Sequence, residues 1–136
     1  ARRIYAYDVN PKTGDLTQRR IFVQVPATEG MPDGLTVDAA GFIWSAQWYG
    51  SQVVRYDPDG KVERRIQLPV SQIASVAFGG PDLTELYITT AAEPWPSKFV
   101  PPGYAPNPAT LGGSLYCLRL DIQGQPEYQA KLRWHD

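Results

Sequence analysis

The 136-residue sequence contains one cysteine, Cys117, and one histidine, His135. A single cysteine excludes an internal disulfide and suits a reducing compartment, so a cytoplasmic protein is expected. A single histidine next to the last residue excludes a histidine-cluster metal site and leaves a Ser-His-Asp triad without a base; it reads as a solvated terminal side chain. No apolar run approaches the length that spans a bilayer. The formal net charge of −1 offers nothing to a nucleic acid or an anionic membrane, and neither is expected as a partner. Helical periodicity is hard to find anywhere. The chain has neither an initiating Met nor a signal-peptide hydrophobic region. It enters at once into an alternating pattern, as expected of a chain cut inside a sheet.

What is present is turn chemistry, with 13 prolines and 12 glycines, among short alternating runs. Ile4, Ala6 and Val9 lead into Asn10-Pro11-Lys12-Thr13-Gly14, where Pro presets φ and Gly accepts a positive one. Ile21-Phe22-Val23-Gln24-Val25 then runs to Pro26. The order returns later: Val53-Val54-Arg55-Tyr56, the turn Asp57-Pro58-Asp59-Gly60, and Val62 through Leu68 to Pro69. Asp8 and Asp57 lie 49 residues apart, and Pro26 and Pro69 lie 43 apart. A third copy runs from Leu115 to Leu120, turns at Asp121-Ile122-Gln123-Gly124, and continues as a strand from Glu127 to Leu132. Cys117 sits inside this packed pattern, so its thiol is expected to be buried and structural.

The other half of the unit also recurs. Gly34-Leu35-Thr36-Val37-Asp38 followed by Phe42-Ile43-Trp44-Ser45-Ala46 is similar to Ala74-Ser75-Val76-Ala77-Phe78 followed by Leu86-Tyr87-Ile88-Thr89-Thr90. Four strands recurring every 40 to 50 residues predict an all-β fold of propeller blades, each of four antiparallel strands. Residues 1–26 form the outer strands of one blade, 27–69 a complete blade, and 70–136 a complete blade with a proline-rich insertion at 92–111. A closed sandwich is the competing architecture, and the register of the repeats argues against it. About two and a half blades cannot close a ring, since the smallest rings have about four. Uncovered blade faces predict association with another copy or with a missing half.

Propeller sites gather where innermost strands begin around the central channel. Those strands are expected at 34–37 and 75–78. Asp33, between a rigid Pro and a permissive Gly, could bind a hard cation through oxygen or polarise a water as general base. By local chemistry alone, Pro32-Asp33-Gly34 reads first as a turn whose Asp caps its own backbone. Ser75 occupies the matching region of the next blade and is a channel candidate without a partner for nucleophilic catalysis. Alternation puts Trp44, Ala46 and Trp48 on one face, which packs between blades; Trp48, nearer the strand end, is the more open to a ligand. The insertion can be neither helix nor regular strand, and reads as a lid or a subunit contact.

Taken together, Pro32-Asp33-Gly34-Leu35, Asp38-Ala39-Ala40-Gly41-Phe42-Ile43-Trp44, Val53-Val54-Arg55-Tyr56-Asp57-Pro58-Asp59-Gly60 and Ser75-Val76-Ala77-Phe78-Gly79-Gly80 resemble the gluconolactonase/regucalcin (senescence marker protein) family. Leu68-Pro69-Val70 and Leu86-Tyr87-Ile88-Thr89-Thr90-Ala91 extend the resemblance over essentially the whole chain. It implies a six-bladed propeller whose channel holds one divalent cation, Ca²⁺ or Zn²⁺, and hydrolyses sugar lactones or related esters. It implies, too, that Asp33 is both a metal ligand and the general base. The family's other metal ligands, a Glu and an Asn, and its substrate-binding Arg and Asn have no matching positions here. Ala74 stands where the family often has Thr, and the insertion looks longer than usual.

The expectation is therefore the C-terminal half of a metal-dependent lactone hydrolase, inactive without the preceding blades. The alternative is a non-catalytic half-propeller that associates with itself or with a partner chain. A propeller hydrolase of another specificity, luciferin-regenerating or phosphotriesterase-like, is a third reading.

Overall fold

The computed structural model describes residues 2–92, 100–104, 109 and 112–128. The terminal His135, most of the insertion and residues 129–132 of the last expected strand lie outside these. Among the described residues, nine strands form three antiparallel sheets. The first pairs β1 (Arg3–Val9) with β2 (Leu16–Gln24); the second orders β3 (Met31–Val37), β4 (Ile43–Trp48), β5 (Gln52–Tyr56) and β6 (Val62–Gln67) in sequence; the third orders β7 (Ile73–Gly79), β8 (Glu85–Thr90) and β9 (Leu115–Arg119). No α-helix occurs among the described residues, and no helix is long and apolar enough to cross a membrane.

The hairpins follow from their turns. Asp57 Oδ1 accepts from the amides of Asp59 and Lys61 at 3.0 and 2.9 Å, and Gly60 takes a φ of 79° between β5 and β6. Side chains with a period of two then give each sheet two distinct faces. Trp44, Ala46 and Val53 leave the middle sheet on one side and pack with Ile73, Val76, Leu86 and Ile88 of the third sheet. Val54 and Tyr56 leave it on the other side and pack with Ile4, Val23 and Val25 of the first. Burial on both faces explains why all of Gln52–Tyr56 is buried. This face-to-face stacking is that of propeller blades.

Backbone hydrogen bonds join the second and third sheets at both ends. At one end Asp38 bridges Gly124, Ala39 N donates to Gln123 O at 2.8 Å, and Gln125 N donates to Val37 O at 3.3 Å. At the other, Trp48 bridges Gln72 and Ser51 N donates to Ser71 O at 3.4 Å. The first sheet is attached differently, through apolar packing and the Arg2 guanidinium, which donates to the carbonyls of Glu29 and Gly30.

Three expectations need correction. Cys117 is exposed, because β9 turns Tyr116 and Leu118 toward the core and its alternate residues away. The first inner strand begins at Met31 rather than residue 34. Glu127 and Tyr128 are not in a strand.

Candidate functional site

Both β3 and β7 are edge strands of their sheets, with no ladder partner on one side among the described residues. Pro32 is tolerated in β3 because an edge strand need not donate from every amide. In register Pro32 faces Gln47 and Leu35 faces Ser45, so Asp33 and Gly34 together oppose Ala46 alone. The Pro-Asp-Gly segment is thus a β-bulge and not a turn. A bulge re-aims the side chain that it carries. β7 shows a comparable irregularity between Ile73 and Ser75.

Asp33 is exposed, and its carboxylate makes no hydrogen bond or ion pair among the described residues. The surrounding protein nevertheless desolvates it enough to push its carboxyl above the ordinary 3.8. Surface carboxylates usually gain partners that do the opposite. Ser75 is also exposed, and it lies directly against the bulge. A Cβ built on Gly34 would stand 2.2 Å from Ser75 Oγ and 2.7 Å from Ser75 Cα. The two edge strands therefore meet at Gly34–Ser75, beside Asp33. Gly34→Ala is expected to force them apart and lower stability by about 1–3 kcal/mol, the usual cost of overpacking. Adding Ser75→Gly should restore only part of the loss, because the clash with the Ser75 backbone persists. Thermal melts of the single and double variants measure both effects, and an unchanged melt for Gly34→Ala would contradict the close contact.

Trp48 is half-buried, pairs with Met31 across the β3–β4 ladder, and meets Tyr49 edge-on at 5.8 Å. Tyr49 in turn packs at a tilt against Tyr104, with ring centres 4.8 Å apart. Tyr49 and Tyr104 had no signal in the sequence beyond being aromatic. Gln47 was equally silent: it is fully buried, donates to Ser45 Oγ at 3.2 Å, and leaves its own Oε1 without a partner among the described residues.

Asp38, at the opposite end of β3, is a carboxylate of another kind. It is fully buried and accepts from Ala40 N, Phe42 N, Trp44 Nε1 and Arg55, the last through Nε at 2.8 Å and Nη2 at 2.7 Å. Arg55 also pairs with Glu63 at 3.0 Å and lies 3.8 Å from the Phe42 ring centre. With every acceptor site engaged, Asp38 is structural.

A Ca²⁺ ion takes six to eight oxygen ligands, and Zn²⁺ usually three or four protein ligands. The described residues contain no group of three or more His, Cys, Asp or Glu side chains that could hold a metal ion. Asp33 is a hard donor with no competing partner, but one carboxylate does not make a cation site.

Residues 1–92 match the SMP-30/Gluconolactonase/LRE-like region. The chain is 42% identical over 133 residues to pentonolactonase XacC of Haloferax volcanii, covering 98% of this chain and 45% of that protein. It is 39% identical to Xenopus laevis regucalcin over 67% of this chain and 31% of the relative. Among solved structures, a luciferin-regenerating enzyme superposes with a TM-score of 0.83 at 27% identity, covering 96% of this chain and 42% of that one. The calcium-binding protein regucalcin of Agrobacterium tumefaciens gives 0.80 at 29%, covering 96% and 43%. The chain thus spans less than half the length of each of these relatives.

Proposed function

Because the chain belongs to the SMP-30/Gluconolactonase/LRE-like family, we propose that it forms part of a sugar-lactone hydrolase in which Asp33 is the general base. The observation that supports this most is the state of Asp33, a carboxylate without a partner among the described residues, its pKa raised by desolvation, on an edge strand. A base of this kind has lone pairs open to water as well as to a cation. In the reaction, the Asp33 carboxylate takes a proton from water and the water oxygen attacks the lactone carbonyl carbon. The ring C–O bond then breaks, the alkoxide takes the proton held by Asp33, and a hydroxy acid leaves with the carboxylate restored. Desolvation helps by raising the basicity of Asp33 toward the working pH.

The similarity to a pentonolactonase points to five-carbon sugar lactones as the first substrates to test. In this reading the ring has six blades. A divalent cation enters as a requirement of the assembled protein, with Asp33 the one ligand contributed by these residues. The remaining ligands come from blades outside the chain, and the chain alone is inactive.

A panel of aldonolactones followed by acid release tests the reading. The protein carrying these residues in a complete ring should hydrolyse at least one of them and lose the activity in EDTA, and this chain alone should not. Failure of the complete protein on every lactone would sink it. The alternative, an association module, draws on the exposed Val9, Leu16 and Ile21 of the first sheet, of which Val9 and Leu16 are each 60% exposed. It predicts a metal-independent homo-oligomer by native mass spectrometry.

A further inference from the structure

We infer that Tyr104, latched to Tyr49 and Ser71, fixes one wall of the site at the Asp33 end of the sheets and limits the size of lactone admitted; this rests on the lactonase reading. The latch is built on Pro101-Pro102-Gly103-Tyr104. Tyr104 N donates to Pro101 O at 3.1 Å and Gly103 takes a φ of 78°, which makes the segment a tight turn. Pro before a Gly of positive φ is the preferred content of a type II turn, so little entropy is lost in holding it.

The turn is fastened by three observations. Pro101 is buried, the Tyr104 ring lies 4.8 Å from that of Tyr49 at 53°, and the Tyr104 hydroxyl donates to Ser71 Oγ at 2.8 Å. The receiving side is built at a cost. Tyr49 has a φ of 62° and Ser51 one of 52°, in the left-handed region that bulky side chains avoid. Strain of this kind persists where the surroundings over-determine it, and it gathers at ligand sites.

The place of the latch gives it a role. Ser71 immediately precedes Gln72, which bridges Trp48 ahead of β7, and Trp48 pairs with Met31 at the head of β3. Asp33 lies two residues further along the same strand, about 7 Å at the usual rise. The latch thus stands at the end of the sheets where both edge strands begin, the end nearer Asp33. Pro102 and Gly103 remain exposed at its crest. An anchored proline-rich turn at the mouth of a site excludes by shape, because it cannot fold away from a larger substrate.

The test uses the complete protein with Tyr104→Ala and Tyr104→Phe, and measures kcat/KM for an unsubstituted γ-lactone, a five-carbon and a six-carbon aldonolactone. Tyr104→Ala should raise the ratio of six-carbon to five-carbon kcat/KM by about tenfold, in line with the limited discrimination that shape alone achieves. The unsubstituted lactone should change least. Tyr104→Phe, which keeps the stacking and removes only the bond to Ser71, should fold normally and shift the ratio in the same direction by less. If all three substrates change by one common factor in both variants, Tyr104 merely supports the fold and the inference is overturned. If the wild-type protein hydrolyses no lactone, the lactonase reading fails and takes the inference with it.

Discussion

Replacing Asp33 with Asn is expected to lower kcat/KM for sugar-lactone hydrolysis in the complete protein by about 10²- to 10⁴-fold, the range ascribed to a positioned base. The same change should leave the melting temperature at neutral pH unchanged or slightly raised. The sign follows from linkage. Because the folded-state carboxyl of Asp33 lies above its ordinary 3.8, ionising it is harder in the folded chain than in the unfolded one. Its favourable contribution to stability is complete below the unfolded value and disappears as pH rises through the folded one. Asn has no charge to desolvate, so any advantage of the variant should appear above that window and fade below it. Activity runs the other way: the ionised carboxylate is the active form, so kcat/KM should fall on the acid side. A pH–rate profile of the cation-loaded complete protein reads the activity, and paired melts of wild type and variant at pH 3 to 8, without added cation, read the stability. Retention of more than a tenth of wild-type activity would remove Asp33 from the role of base.

The second large effect concerns stability. Asp38→Ala should destabilise the chain by about 3–5 kcal/mol, because it leaves the Arg55 charge and the Trp44 indole N–H buried without their acceptor. That is a large part of the ~5–15 kcal/mol that holds a typical domain together. Adding Arg55→Met to Asp38→Ala should recover much of the loss, since the uncompensated charge goes with it. Urea denaturation of the two variants measures this, and a cost below about 1 kcal/mol for Asp38→Ala would show that the buried pair is not holding the sheet. Burial alone would raise the Asp38 carboxyl. The hydrogen bonds from Trp44, Arg55 and Phe42 and the Arg55 charge outweigh it and hold the group below its ordinary value. Its contribution is therefore present above an unfolded value near 3.8 and is lost as pH falls through the lower folded one. Asp33 and Asp38 lie on or next to the same strand and respond to acid in opposite directions.

The contrast between these two carboxylates shows what a linear reading can reach. The strand repeat was legible because turn chemistry is local: Asp57-Pro58-Asp59-Gly60 forms its turn largely with its own side chain and backbone. The apolar alternation of Trp44 and Ala46 was legible for the same reason, and it led to the contact between sheets. Pro32-Asp33-Gly34 misled because its content suits a turn, whereas the pairing of β4 with both flanks of the segment imposes a bulge. Gly34 gave no hint of its neighbour, since Ser75 reaches it across two sheets. Cys117 was misplaced because alternation fixes which residues share a face but not which face meets the core. Tyr49 and Tyr104 are 55 positions apart, and nothing local joins them. Asp33 was singled out by its place ahead of an expected inner strand and given its roles by resemblance, and the absence of any partner among the described residues is what distinguishes its surroundings from those of Asp38.

The uneven stitching between sheets has a consequence for how the chain comes apart. The second and third sheets share main-chain hydrogen bonds at both ends, whereas among the described residues the first is held to the second by side chains. Strands β3 to β9 should behave as one cooperative block, and β1–β2 as a separate leaf that detaches at lower free energy. Losing the leaf would uncover Val54 and Tyr56, the apolar back of the middle sheet. The Gly34–Ser75 contact lies within the block, so opening of this kind would leave the surroundings of Asp33 assembled.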